Sequence, residues 1–246
     1  MQILLTNDDG YLAEGINVLE SVLKRHGHTV CVVAPHTQQS AKSHSMSVHG
    51  SMTVWRHDDM HFSLEGTPSD CVIFPIRSGF LPIVPDTVIS GINHGYNLSS
   101  DTIYSGTCGA ARQGAMYHIP SIAISAEKEK RGAYDFEPAA EYLASRLGSF
   151  IPVLDGDSFL NLNFPPHWNG KVRKAGLGCI SYYDRYTCCD DGKKIVLEGD
   201  GYGLEFKDIE TCYPGDRALA EKGYATATVI SVHPVSDGER MERLTL

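Results

Sequence analysis

QILLTNDDGYLAEGINVLESVLKRHGHTVCVVAP, residues 2–35, is the stretch on which the fold turns. Residues 2–6 (QILLT) form a short apolar run of β character. Ile16, Leu19, Val22 and Leu23 then recur at helical spacing until Gly27, and residues 28–35 (HTVCVVAP) form a second apolar run. The order is β-α-β. Strands with no polar alternation read as parallel and covered on both faces, because helices in the crossover connections pack against each side.

The pattern continues outward. A hairpin is expected around Asp58-Asp59, and a helix starts near Thr67-Pro68 with Asp70 in its first turn. DTVISGIN (86–93) is a buried strand, YSGTCGAARQGAMYH (104–118) a helix with small residues on its packing face, and IPSIAIS (119–125) another strand. FEPAAEYLASRLGSF (136–150) is an amphipathic helix, and FLNLNFP (159–165) alternates as a strand. The segments KVRKAGLGCISYYDRYT, KKIVLEGDGYGLE and YATATVISVHP read as antiparallel strands, with PGDRALAEKG a short helix, all packed on the same sheet. The fold class is α/β, a Rossmann-like doubly wound, mostly parallel sheet with a C-terminal antiparallel extension or hairpin. One domain is expected over 1–246, with its core in about 1–170 and the extension in about 171–246.

Composition narrows the function. The chain has 246 residues, 42% hydrophobic, enough for a sizeable core. A net charge of -9 argues against a surface that tracks a nucleic-acid polymer. The seven cysteines contain no C-x-x-C, the N-terminus lacks the pattern of a signal peptide, and no apolar run approaches the roughly 20 residues of a membrane span. A cytoplasmic protein with reduced thiols and no membrane partner is expected.

Loops after parallel strands gather at the carboxyl edge of the sheet, where ligands bind. Asp8 and Asp9 follow the first strand, Ser40 lies beyond the second, and Asn93 ends DTVISGIN. Their donors are all oxygen, which suits a hard divalent cation such as Mg2+ or Mn2+. A cation also answers why two like charges stand together at the end of a buried strand; a turn or helix cap is the alternative for the pair. Ser105, Gly106 and Thr107 open a helix whose free N–H groups, dipole and hydroxyls suit a phosphate, and an ordinary N-cap is the plainer reading. Asn97, four residues after Asn93, faces the same site or belongs to an ordinary loop. His94 is either a supporting or acid/base group or a loop residue. His36, His44 and His49 read as solvated loop residues. No G-x-G-x-x-G or Walker A pattern is present.

Together ILLTNDDG, GTPSDCV, SGINHGYN and IYSGTCGAA resemble the SurE (survival protein E) family of metal-dependent nucleotidases. The resemblance implies an enzyme with one divalent cation per subunit, held by Asp8, Asp9, Ser40 and Asn93. It implies phosphate contacts from Asn97, Ser105, Gly106 and Thr107, with Asp8 and Asp9 as catalytic carboxylates. Expected substrates are nucleoside 5'-monophosphates, with 3'-monophosphates and short polyphosphate as further ones. A homodimer or homotetramer that exchanges its C-terminal hairpin is implied. The chain departs from the family pattern at Ser40-Ala41-Lys42-Ser43, which leaves Ser43 as a rival ligand, and at Glu14, Ser99-Ser100 and Gln113. A phosphorylatable receiver domain and a non-enzymatic nucleotide-binding regulator are the alternatives from other classes.

Overall fold

The computed structural model describes residues 1–79, 81–190, 195–207 and 212–234, with the backbone alone for 183–190, 195–204 and 206. The adjacent Cys188-Cys189 side chains and the last twelve residues lie outside the described set.

Strand β1 (Gln2–Thr6) leads into α1 (Glu14–Arg25), whose buried Ile16, Leu19, Val22 and Leu23 are the periodic residues of the sequence. Then come β2 (Thr29–Pro35), the hairpin β3 (Val54–Arg56) and β4 (His61–Leu64), and α2 (Asp70–Ser78). Strand β5 (Thr87–His94) is followed by a one-turn helix, α3 (Asp101–Tyr104), which periodicity misses because four residues carry no period. The longer α4 (Gly106–Met116), β6 (Ser121–Ala126), α5 (Glu137–Phe150) and β7 (Ser158–Phe164) complete the repeated units.

The main sheet has nine strands in the order β3-β4-β2-β1-β5-β6-β7-β11-β8, where β8 is Val172–Lys174 and β11 is Ala225–Ser231. From β4 to β7 all neighbours are parallel. Ile3 and Leu5 face α1 and α5 on one side, and Leu4 faces α2 and α4 on the other. Both faces are covered, so the strands show no polar alternation. The chain leaves β1 toward β2 and later returns to β1's other side with β5, so a switch point lies between β1 and β5. The crevice beyond their carboxyl ends is where such sheets bind ligands.

Two expectations for the C-terminal part are corrected. β11 is antiparallel to β7 as expected, but β8 pairs with β11 in parallel, since the α6 segment (Asp216–Ala220) intervenes as a crossover. β9 (Cys179–Asp190) and β10 (Ile195–Lys207) do not join the main sheet. They form a separate two-stranded antiparallel ribbon, and their long mutual ladder satisfies their backbone groups without it. Among the described residues no helix is long and apolar enough to cross a membrane.

At the base of β4, His61 sits between Glu20 of α1, at 2.6 Å, and Asp58 of the hairpin turn, at 2.7 Å. Burial disfavours the imidazolium, but the bonds to Asp58 and Glu20 outweigh it and hold the His61 pKa above its ordinary value. A raised folded value stabilises the fold at pH below 6.5 and loses that contribution as pH rises through it. Urea midpoints should therefore fall as pH rises above 6.5, and His61→Gln should flatten that slope, by about 1 kcal/mol at most for a pair this close to the surface.

Candidate functional site

The loop after β1 is closed by Asn7, whose side chain donates to the Gly10 carbonyl at 2.9 Å and accepts from Gly10 N–H at 3.2 Å. This turn presents the two aspartates outward from the strand end. The Asx-turn pattern N-D-D-G is its sequence signal, and the turn expected as the alternative for the aspartate pair is present.

Asp8 is 3% exposed, and Thr107, at the first turn of α4, donates its hydroxyl to Asp8 Oδ1 at 2.6 Å. Burial pushes the Asp8 carboxyl up to about 6; the Thr107 hydrogen bond eases the rise and the neighbouring Asp9 charge adds to it. The Asp9 side chain is also buried. Its Oδ2 accepts the His94 backbone N–H at 2.9 Å and lies 3.1 Å from His94 Nδ1. That contact, against the cost of burial, raises the His94 pKa.

Asn93, the last residue but one of β5, is buried, its Nδ2 donating to the Gly95 carbonyl at 2.8 Å. Its Oδ1 accepts no hydrogen bond among the described residues. Ser40 is reached through a loop pinned by Gln39 N–H to the Asp8 carbonyl, 2.7 Å, and by Ser43 N–H to the Tyr104 carbonyl, 2.8 Å. Ser40 lies on the cavity, whereas Ser43 does not line it and its hydroxyl donates to the Ile103 carbonyl at 2.6 Å.

On the opposite side, Ser105 caps α4 and accepts from Cys108 N–H at 3.0 Å. A Cβ on Gly106 would stand 2.9 Å from Asp8 Cβ, so glycine allows the helix start to approach the carboxylate. Thr107 is fully buried and stands behind Asp8, off the cavity lining. Asn97 is 5% exposed, donates to Ser125 Oγ at 2.8 Å, and has its backbone held on both sides by β7: its N–H donates to Asn163 Oδ1 and its carbonyl accepts from Asn161 and Asn163. Sequence reasoning missed this pair. Its signal is the wholly buried L-N-L-N of β7, where polar side chains in a covered strand need partners.

Asp8, Ser40, Asn93, His94, Asn97 and Ser105 line one cavity of about 490 Å3 at the β1/β5 switch point. Tyr96, Asp101, Tyr104 and Tyr182 complete its wall. Among the described residues no group of three His, Cys, Asp or Glu side chains is arranged so that those side chains alone could hold a metal ion. Asp8, Ser40 and Asn93 put a carboxylate, a hydroxyl and an amide on this cavity, and Asp9, turned to His94, stands beside Asp8 without lining it. Two crowded anions in a desolvated place, one of them pushed toward neutral, are what a hard divalent cation relieves, so the residues fit one.

One expectation about histidines changes, that for His44. His36 stacks on Trp55 at 4.1 Å and bonds Ser63, and His44 bonds Gln113 at 2.9 Å, its pKa lowered by burial. His36 and His49 are exposed loop residues as expected, and His44 is partly buried.

The loop between Asn97 and α3 is fastened from afar. Asp216, buried at the start of α6, accepts from Ser99 N–H and Ser99 Oγ, both at 2.6 Å, and from Arg217 N–H at 2.8 Å. Asp216→Ala leaves those donors buried and unpaired. It is expected to cost about 3 kcal/mol in urea unfolding, and Ser99→Ala about 1 kcal/mol.

Comparison with known proteins adds three findings. The family described as Survival protein SurE matches residues 3–183. The 5'-nucleotidase SurE of Clostridium botulinum (strain Langeland / NCTC 10281 / Type F) is 43% identical over 214 residues, 81% of this chain and 83% of that one. That of Desulfitobacterium hafniense (strain DSM 10664 / DCB-2) is 40% identical over 190 residues, 74% and 72%. The crystal structure of the SurE protein from Aquifex aeolicus superposes with a TM-score of 0.80 at 28% identity, covering 99% of this chain and 98% of that one.

Proposed function

Because the chain belongs to the SurE family, whose curated relatives are 5'-nucleotidases, we propose that it is a phosphomonoesterase acting on nucleoside 5'-monophosphates in the β1/β5 cavity, with a divalent cation, Mg2+ or Mn2+, as cofactor. The observation that carries this reading is the Thr107–Asp8 hydrogen bond, which joins the acidic loop to the N-terminus of α4 across 99 residues of sequence. It brings the acidic loop beside the N–H groups at the start of a helix, which suit a phosphate.

In this reading Asp8, Asp9, Ser40 and Asn93 hold the cation. When bound, it supplies positive charge that neutralises the phosphoryl oxygens. Ser105 and the Gly106 N–H orient the phosphate with the helix dipole, and Asn97 contacts it from the β7 side. Thr107 acts through Asp8, keeping that carboxylate aimed and lowering the cost of its charge. Asp9, with Oδ2 held by His94, accepts a proton from the attacking water on Oδ1. The new bond joins water oxygen to phosphorus, the bond from phosphorus to the nucleoside oxygen breaks, that oxygen takes a proton from solvent so that the nucleoside leaves as an alcohol, and Asp9 returns its proton to solvent. Attack by a carboxylate to give an aspartyl phosphate is the competing route; acid-stable label retained on the protein after quenching would select it.

Nucleoside 3'-monophosphates and short polyphosphate are further proposed substrates. The β9–β10 ribbon is proposed to reach a neighbouring subunit in a homodimer or homotetramer, since it pairs with no strand of the main sheet. The test is phosphate release from AMP with Mg2+ or Mn2+, abolished by chelation and restored by the ion. Nucleotide binding with no release would favour a regulator and overturn the reading.

A further inference from the structure

The cavity is larger than a phosphate and a cation need, and its lining is asymmetric. About 490 Å3 falls within the range of sites that enclose whole small molecules. Beyond the Asp8 side, the wall includes Asp101 and Tyr104 from α3 and Tyr182 from β9. Tyr104 is 57% exposed and Tyr182 44%, so two large rings stand open at the same mouth. The Tyr182 hydroxyl donates to Asp101 Oδ1 at 2.5 Å. The strand beneath it is fixed by Ile180 N–H to Ser100 Oγ at 2.9 Å and Gly178 N–H to Ser99 Oγ at 3.2 Å. Asp101 is half-buried, and its Oδ2 accepts no hydrogen bond among the described residues.

A carboxylate in the wall of a pocket for an anionic substrate repels phosphate, and a single one holds a cation poorly. It suits the neutral part of the substrate that is rich in donors. The Ser105 N–H bonds the Asp101 carbonyl at 3.0 Å, so this wall is continuous with the phosphate end. We propose that Asp101, Tyr104 and Tyr182 form the nucleoside side of the site: Asp101 accepts hydrogen bonds from the ribose hydroxyls while the tyrosine rings cover the base. The inference rests on the cavity being a nucleoside monophosphate site. Aromatic faces tolerate any base, so selectivity should follow the sugar and the presence of a base more than the base's identity.

The experiment compares kcat/KM of the wild-type protein, with its cation, on AMP, 2'-deoxy-AMP and glycerol phosphate, then repeats it with Asp101→Ala and Tyr182→Phe. Binding of adenosine alone is followed by ligand-observed NMR. Wild type should prefer AMP to its 2'-deoxy analogue by about tenfold, because a site built to bond a hydroxyl penalises its absence. Asp101→Ala should erase that ratio and weaken adenosine by a similar factor, and Tyr182→Phe should lie between. Equal kcat/KM on all three esters, an equal loss on AMP and glycerol phosphate in Asp101→Ala, or discrimination by base alone would overturn the assignment while phosphatase activity stands. If no ester releases phosphate, the phosphatase reading fails instead. Adenosine then decides the subsite: weakened binding in Asp101→Ala supports it, and unchanged binding overturns it.

Discussion

Replacing Asp8 with Asn is expected to abolish phosphate release from AMP, by about 10^3-fold or more, and at the same time to make the cation-free protein harder to unfold above neutral pH. The two effects share a cause. Asp8 is 3% exposed beside Asp9, and its carboxyl is pushed up to about 6 from an ordinary 3.8. A carboxylate whose folded value lies above its unfolded one binds protons more tightly in the folded state. Its cost is therefore absent at low pH, appears as pH rises through the interval from 3.8 to about 6, and is complete above it. At about 1.4 kcal/mol per unit, it amounts to about 3 kcal/mol in the cation-free state.

Asparagine keeps an oxygen to accept the Thr107 hydroxyl and carries no charge, so it removes the cost while preserving the contact. Urea titrations with a chelator at pH 5 and pH 8 should show wild type weakening more between the two than Asp8→Asn, which keeps only the smaller decline due to His61. Divalent cation should restore wild type at pH 8 and do little for the variant. A variant that keeps normal turnover, or one that is less stable than wild type at pH 8 without cation, contradicts the assignment.

Gly106→Ala is the second large effect. An added Cβ would lie 2.9 Å from Asp8 Cβ, 3.0 Å from Asp8 Oδ2 and 3.0 Å from Pro68 Cγ, so either the carboxylate or the start of α4 must shift. Both define the cavity, and displacements near 1 Å in such sites cost about 10^2-fold in rate. A fall of that size in kcat/KM on AMP, with melting little changed, is the expected result. Gly148→Ala in α5 is the control. Nothing lies within 4 Å of its Cβ position, so it should raise stability by up to about 1 kcal/mol and leave the rate alone. Equal activity in the two alanine variants would mean that the helix start need not approach Asp8.

Much of the architecture could be read along the chain because burial on both faces leaves its mark in unbroken apolar runs. β1, α1 and β2 lie where their residues suggested, and the hairpin around Asp58-Asp59 and α5 do too. The rule that loops meet at the carboxyl edge brought together Asp8, Ser40 and Asn93, and all three line one cavity. The C-terminal part was less legible. The alternation of β8 and β9 announces strands but carries no information about direction or partner, so the parallel β8–β11 pairing and the separate ribbon could not be foreseen.

Local order of residues thus specified the element types, the doubly wound class and the chemical kind of the pocket's donors, since periodicity and side-chain chemistry are properties of neighbouring positions. Folding alone assigned partners: Thr107 to Asp8, Asn161 and Asn163 to the Asn97 backbone, Asp216 to Ser99, Tyr182 to Asp101. Each joins positions between 64 and 117 residues apart. Hydrogen bonds are short-ranged and directional, so which donor meets which acceptor depends on the packed backbone, and no pattern along the chain encodes it.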